Sequence, residues 1–335
     1  MNSNRVKYLD IASGIMIVWL LVYHALYPMY EDSISAVIPF LYFFMPWFFY
    51  KSGMMFQRRD IKSLLVKDLK KLIVPFVIWS IIGYIVMILW HVFKGEELTW
   101  KILLMRPIRS LVLNCSIPIN SALWFIPVLF VVRQLANLLL TRFKSYAIAI
   151  CSLMFSIVCL LVNKFISPHY LPTWISGTAW GMFFFSSAIY LRDYEVKKYM
   201  IVLSVTIYVI SLCTSIPSVY SADEPGVLLH SIWYIASLFS CICFNNACRF
   251  IVYVYNKLLN KKDKFLFPIL SYVGRNSMSF YVVHYIIFKI SFDIIAMYKY
   301  EWYATYQGLL IVLLCYAVIC PIVSEMRNKC TSLKK

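Results

Sequence analysis

The sequence predicts an all-α integral membrane protein with about ten transmembrane helices and with both termini in the cytoplasm. Of its 335 residues, 62% are hydrophobic and only 14% are charged. A soluble domain of this length needs more charged and polar side chains to cover its surface. The apolar residues form runs long enough to cross a bilayer, and the basic residues fall between those runs. We therefore expect one membrane-embedded domain that spans residues 1–335.

The apolar runs are close to the roughly 20 residues that a membrane-spanning helix needs. They are residues 11–28, 34–50, 72–93, 122–140, 146–166, 172–190, 200–216, 227–247, 277–296 and 303–323. The run 172–190 is the weakest, because Gly177 and Gly181 lower its helix propensity. The segment 94–121 mixes apolar and basic side chains, a pattern that fits either an amphipathic helix at the outer membrane surface or a loop.

The lysines and arginines are distributed unevenly among the connecting segments. With the N-terminus in the cytoplasm, the cytoplasmic segments hold about three times as many basic residues as the opposite segments, as the positive-inside rule requires. The net charge of +17 could also indicate a nucleic-acid partner. However, the basic residues are spread over short segments and form no basic module, so membrane lipid explains them and no nucleic acid is expected.

The sequence contains 10 cysteines but no Cys-x-x-Cys pair. The nearest grouping, formed by Cys241, Cys243 and Cys248, lies in or beside an apolar run. Cysteines in such runs are typically small buried hydrophobic residues. Neither a metal site nor a disulfide framework is therefore predicted.

The most distinctive candidate for chemistry is His24, near the outer end of the first run. With about 3.6 residues per helical turn, Asp10, Ser13 and Ile17 fall on the same helix face as His24. Ionisable groups within a membrane are costly, so a stripe of this kind indicates a lined cavity. A neutral imidazole can accept a proton from an alcohol, which makes His24 a candidate general base. The alternative is a histidine that only packs between helices.

Five short motifs follow one another along the chain. They are Tyr8–Gly14 followed by His24, Phe44–Gly53, Lys71–Pro75, Leu123–Pro127, and Gly274–Ser277 followed by Tyr281 and His284. In this order they resemble the acyltransferase-3 family of membrane acyltransferases. Within that family, the motifs are most similar to those of the subgroup that modifies surface polysaccharide, which includes fucose O-acetylase-like proteins.

The resemblance implies an enzyme of the bacterial inner membrane, with several membrane passes. Such an enzyme transfers an acyl group, usually acetyl, from cytoplasmic acyl-coenzyme A to a hydroxyl of a cell-surface or lipid-linked glycan. Acetyl-coenzyme A, or another acyl-coenzyme A, would be a co-substrate, and no tightly bound cofactor is expected. The resemblance further implies that His24 is the essential histidine of the first helix, that Asp10 is the acidic residue before it, and that Lys71 is the basic residue at the mouth of the third helix.

One position departs from the family pattern. The family usually has an arginine or lysine eleven positions before the histidine, and this chain has Ser13 there. A basic side chain at that position would hold the donor, so the change affects the expected donor site. We hypothesise that Lys51, which precedes Ser52 at the inner end of the second run, supplies the missing charge. A lysine that extends from the helix end to the lipid headgroups is the alternative.

The remaining candidates are less specific. Arg275 could contact donor phosphates, which suit a guanidinium, whereas Asn276 is expected to cap the helix that follows it. Trp124 could stack on a sugar or on adenine, or anchor its helix at the membrane interface. His284 matches a family position and could bind substrate, although helix packing is the commoner role.

Two further classes of function remain open on the sequence. A transporter or flippase of a lipid-linked sugar would show two related halves with broken helices, and no such halves are visible. A catalytically inactive relative that serves as a scaffold is the other class, and the serine at position 13 keeps it open.

Overall fold

The computed structural model describes residues 7–26, 38–166, 171–193, 198–214, 216, 226–258, 266–302 and 305–332, and within these ranges it contains helices and no β-strand. The α-helices are α1 (Lys7–Leu26), α2 (Phe44–Met54), α3 (Ile61–Asp68), α4 (Val74–Phe93), α5 (Arg106–Asn114), α6 (Phe125–Leu139), α7 (Ser145–Phe165), α8 (Thr173–Asp193), α9 (Lys198–Leu212), α10 (Val227–Leu258), α11 (Leu266–Arg275), α12 (Ser277–Tyr298) and α13 (Tyr306–Ser332). The all-α prediction is therefore confirmed for the described ranges.

Seven helices in the described ranges are long and apolar enough to cross a membrane. They are Lys7–Leu26, Ile61–Phe93, Ser121–Leu139, Ser145–Phe165, Val227–Tyr255, Ser277–Tyr298 and Tyr306–Lys329. The chain is therefore a multi-pass membrane protein. Helix α2 begins only at Phe44, and the start of the predicted run 34–50 lies outside the described residues.

The third predicted run begins earlier than expected. Helix α3 starts after Asp60, whose carboxylate accepts a hydrogen bond from the backbone amide of Ser63 at 3.1 Å, and helical structure continues to Phe93. Between α3 and α4 lies a π-helical turn, Leu69–Ile73. Pro75 follows this turn and has no amide hydrogen to donate, so the regular hydrogen-bond ladder is interrupted at this point.

Helix α8 is continuous, although its two glycines lower the intrinsic helix propensity. A methyl group at Gly181 would lie 2.8 Å from the ring of Phe49, and one at Gly177 would lie 3.3 Å from the ring of Trp124. Each glycine therefore allows an aromatic ring to pack against the helix. This tertiary packing compensates for the weak local propensity.

The segment 94–121 contains a helix, so it is not a plain loop, and its position at the outer membrane surface stays a prediction. A π-helical turn, Lys101–Met105, leads into α5. Large apolar side chains along this stretch are exposed, among them Trp100 and Val112. A helix that exposes apolar side chains beside basic ones suits a membrane surface.

The chain divides into two compact units. The first consists of Met1–Met45, Lys197–Pro225 and Ile235–Lys335, and the second consists of Pro46–Val196 and Gly226–Tyr234. In the first unit, α1 packs against α11, α12 and α13. In the second unit, α8 packs against α6 and α7, and α3 packs against α6. The single domain over residues 1–335 stays a prediction.

Candidate active site

In the first unit, the C-terminal part of α1 meets α12 around two histidines. The ring centroids of His24 and His284 are 5.1 Å apart, with the ring planes tilted by 40°. The rings of Tyr285 and Phe288 lie 5.2 Å and 5.9 Å from the ring of His24. The imidazole of His24 therefore lies in a cluster of rings contributed by its own helix and by α12.

Two glycines bring α1 and α11 into backbone contact. A methyl group at Gly14 would collide with the carbonyl group of Leu270, and one at Gly274 would collide with the carbonyl group of Asp10. Only glycine permits this approach, because both obstacles are backbone atoms. The contact places Asp10 beside Gly274, the residue that precedes Arg275 in the sequence. Arg275 is exposed, and its Nε donates to the carbonyl of Ser271 at 3.3 Å.

The predicted helix face that joins Asp10 to His24 lies on one continuous helix, α1. Its middle is fully packed, because Ser13 is 0% exposed and Ile17 is 1% exposed. The hydroxyl of Ser13 donates to the carbonyl of Leu9, one turn earlier in the same helix. At this position a short polar side chain bonds to its own helix, where the family pattern has a long cationic side chain.

His284 is fully buried, and its protonation pattern follows from one hydrogen bond. Its Nδ1 lies 2.6 Å from the carbonyl oxygen of Tyr281. A carbonyl oxygen can only accept, so Nδ1 carries the proton and, in the neutral ring, Nε2 carries a lone pair. Within the described part of the chain, Nε2 has no hydrogen-bond partner.

The expected cap at Asn276 is wrong. The side chain of Asn276 makes no hydrogen bond to the first turn of α12 and instead donates to the carbonyl of Tyr272 at 3.0 Å. Its Oδ1 accepts from Asn328 at 3.3 Å. The backbone amide of Asn276 also bonds to Tyr272, so the residue continues the last turn of α11 and its side chain points back along that helix.

The other predicted donor residues belong to the second unit. Lys51 is half-buried, with Nζ 5.8 Å from the centroid of the Trp47 ring, and Lys71 is exposed in the π-helical turn. Trp124 is half-buried, and its ring lies 5.8 Å from that of Trp180. Lys51, Lys71 and Trp124 lie on three separate elements of this unit.

Sequence reasoning missed an ion pair in the second unit. Nε of Arg133 lies 2.8 Å from Oδ2 of Asp68, and Nη2 lies 3.2 Å from Oδ1, while Asp68 is only 2% exposed. Gln134 donates to Oδ2 at 3.0 Å, and Nη1 of Arg133 donates to Oγ of Ser52 at 3.3 Å. Ser52, a predicted donor residue, is therefore tied to α6. The sequence does indicate this pair, because Arg133 lies inside an apolar run, where a charged side chain requires a partner.

Helix α6 also holds the connection between α2 and α3. The side-chain amide of Asn137, a buried residue, accepts from the backbone amide of Arg59 and donates to its carbonyl, both at 3.0 Å. These bonds and the Arg133–Asp68 pair fix residues 52–68 against one face of α6. Within the described ranges, no three histidine, cysteine or acidic side chains are grouped as metal ligands.

The geometry thus defines a helical, multi-pass membrane protein with an imidazole pair inside one of its units. A family model described as an acyltransferase domain, that of the acyltransferase-3 family, matches residues 6–326. The chain therefore belongs to the acyltransferase-3 family, and the resemblance seen in its motifs is confirmed. No curated protein and no solved structure matches the chain.

Proposed function

We propose that this membrane acyltransferase transfers an acetyl group, or a related acyl group, from cytoplasmic acyl-coenzyme A to a hydroxyl of a cell-surface or lipid-linked glycan. The observation that carries the proposal is the position of His24 on α1, inside the ring cluster with His284. An imidazole surrounded by aromatic rings and only partly exposed is suited to proton transfer with a bound alcohol.

In the proposed reaction His24 acts as general base. Its imidazole takes the proton of the acceptor hydroxyl while the hydroxyl oxygen attacks the thioester carbonyl carbon. A C–O bond forms, the C–S bond breaks, and the proton passes from His24 to the departing thiolate of coenzyme A. In a second form of the proposal, an imidazole nitrogen of His24 attacks the thioester carbon, the C–S bond breaks, and the ring N–H proton passes to the departing thiolate. The acceptor hydroxyl then attacks the acyl carbon, the C–N bond breaks, and the hydroxyl proton returns to the released imidazole.

Asp10 is the second proposed catalytic residue, at the opposite end of the same helix. At a rise of 1.5 Å per residue it lies roughly 21 Å from His24 along α1, too far for direct contact. Its contribution would be at the donor's entrance, where its backbone meets Gly274. A carboxylate there would order nearby cationic side chains that approach the donor.

Residues that contact the donor are proposed for each unit by itself. In the second unit they are Lys51, Ser52 and Lys71, and the exposed Lys71 would attract a phosphate of coenzyme A. In the first unit they are Ser13 and Arg275, and the exposed Arg275 would attract a phosphate in the same way. Ser52 already accepts a hydrogen bond from Arg133, so its part would be to hold the end of α2 in place.

The acceptor is proposed to be a glycan presented from the side opposite the cytoplasm, because His24 lies near the outer end of the first span in the proposed topology. His284 would bind the acceptor, and Trp124 would stack on a sugar ring or on adenine. The proposed pathway is polysaccharide O-acetylation.

The proposed topology has about ten membrane spans, with both termini in the cytoplasm of a bacterium and the protein in its inner membrane. Membrane lipid, acyl-coenzyme A and the glycan are its proposed partners, with no nucleic acid and no tightly bound cofactor.

The test is a transfer and binding assay on the purified full-length protein in proteoliposomes. Radiolabelled acetyl-coenzyme A is supplied with a pool of host lipid-linked glycans. Label that reaches the glycan as an ester, removable by mild base, supports the proposal. Donor binding without transfer, or neither of the two, would contradict it, and the second result would favour a transporter or an inactive scaffold.

A further inference from the structure

His284 presents an unusual polar atom. The residue is 0% exposed, its Nδ1–H is committed to the carbonyl of Tyr281, and Nε2 has no hydrogen-bond partner among the described residues. A buried acceptor that stays unpaired destabilises the folded protein, because it has lost its hydrogen bonds to water. Such an atom in a native protein often marks the place where a ligand or a water binds.

The position of Nε2 relates it to His24. Since Nδ1 bonds to the preceding turn of α12, Nε2 lies on the ring edge that faces away from that turn. The ring of His24 is 5.1 Å from that of His284 between centroids. At this separation the two rings are nearly in contact, so a small molecule can reach a nitrogen of each ring only along the edges that the two rings share.

The chemistry of Nε2 restricts what can bind to it. The lone pair needs an O–H or N–H donor, whereas phosphate oxygens, a thioester carbonyl and a thiolate can only accept. The thioester carbonyl, thiolate and phosphates of the donor therefore cannot satisfy Nε2, which leaves the amide N–H groups of coenzyme A and the hydroxyls of the acceptor. The hydroxyl that reacts must point its proton at His24, so an acceptor that also bonds to His284 must supply a second hydroxyl.

We infer that the acceptor is recognised as a vicinal diol: one hydroxyl gives its proton to His24 and is acylated, and the neighbouring hydroxyl donates a hydrogen bond to Nε2 of His284. This inference rests on the proposed function and narrows its acceptor to sugars with two adjacent free hydroxyls. The ester would form beside a carbon that carries a free hydroxyl. His284 acts here as a substrate-binding residue that selects the position of acylation.

The test measures binding without turnover. Full-length protein with ¹⁵N-labelled histidine, in lipid nanodiscs, is titrated separately with cis-1,2-cyclohexanediol, cyclohexanol and coenzyme A. The Nε2 resonance of His284 is assigned as the signal that disappears in His284→Leu. If the leucine variant does not fold, His284→Gln is used for the assignment. His91→Leu, which removes a histidine far along the chain from α1 and α12, is the matched control.

The inference predicts that the diol shifts the Nε2 resonance of His284 at a concentration about 5-fold or more below that of cyclohexanol. Equal responses to both alcohols, no response, or a shift produced by coenzyme A alone through its amide groups would overturn it. A diol-specific shift without acetyl transfer would count against the proposed function only. Transfer without a diol-specific shift would count against the diol site only.

Discussion

The half-buried Arg133 and the buried Asp68 form a bidentate ion pair between α6 and α3, with N–O distances of 2.8 Å and 3.2 Å. The carboxylate is further held by Gln134, and the guanidinium lies 5.4 Å from the centroid of the buried Phe56 ring. Both charges are therefore paired and hydrogen-bonded, and the carboxylate is shielded from water, so its burial is compensated by the guanidinium and Gln134. The pair sets the position of the segment that carries Ser52 and ends at the π-helical turn.

Removing one partner of this pair should be strongly destabilising. Arg133→Leu is expected to lower the free energy of unfolding by about 3–5 kcal/mol, because Asp68 would keep an uncompensated buried charge. Lys289→Leu, which breaks the pair (3.5 Å) between the exposed Lys289 and the half-buried Asp293 one turn along α12, is the control and should cost about 0.5 kcal/mol or less. Thermal and denaturant unfolding of the purified protein measures both. Equal losses in the two variants would show that the buried pair has no special role.

The contact of α1 with α11 predicts intolerance to a single methyl group. Gly14→Ala and Gly274→Ala should each destabilise by about 1–3 kcal/mol or more, because the methyl group would meet a backbone carbonyl group that cannot rotate away. Gly226→Ala is the matched control, since no atom of the described residues lies within 4 Å of a methyl group there. Thermal unfolding midpoints provide the comparison, and near-identical midpoints for Gly14→Ala and Gly226→Ala would refute the close approach.

The turn after α4 should respond to acid. A hydrogen bond from His91 (2.5 Å) and another from Lys94 (3.1 Å) hold the pKa of Glu96 below its ordinary value of 4.5. A lowered pKa means that the turn is stabilised above pH 4.5 and loses this stabilisation as the pH falls through the lowered value. Hydrogen exchange of the Gly95 and Glu96 amides should accelerate over that range, after correction for the intrinsic rate. The acceleration should be absent in Glu96→Gln, and an acceleration of the same size in that variant would exclude the carboxylate as its cause.

The proposed donor site predicts a role for Lys51. Lys51→Met should raise the KM for acetyl-coenzyme A by about tenfold, as expected for the loss of a charge that contacts phosphate. The exposed Lys62, in the first turn of α3, provides the control Lys62→Met, which should leave KM unchanged. Full activity in Lys51→Met would mean that this lysine does not replace the charge missing at position 13.

Much of the helical framework was predictable from hydropathy, because an apolar run of adequate length has few alternatives to a membrane helix. The start of α3 was not, since the charged side chains between residues 60 and 71 indicate a loop when only hydropathy is considered. In that interpretation Asp68 belonged to a connecting segment and had no need of a partner. The cap that Asp60 provides, and the packing of α3 on α6, extend the helical structure to include Asp68.

His24 could be found from the sequence because an ionisable residue in an apolar run stands out. Its pairing with His284 could not, because no periodicity relates α1 to α12 in space. Nε2 of His284 is left without a partner among the described residues because Nδ1 bonds to Tyr281, a detail of side-chain conformation that spacing does not encode. The need for glycine at positions 14 and 274 could not be predicted either, because it depends on carbonyl groups of the opposing helix.

The central claim is that His24 is the base for acyl transfer. The most direct test compares the acetylation rates of His24→Ala and wild type in proteoliposomes that contain acetyl-coenzyme A and host lipid-linked glycans. His91→Ala, which removes a histidine from the end of α4, is the matched control. We predict that His24→Ala folds with an unchanged unfolding midpoint and loses transfer by about 100-fold or more, while His91→Ala retains it. Wild-type turnover in a folded His24→Ala protein would contradict the account.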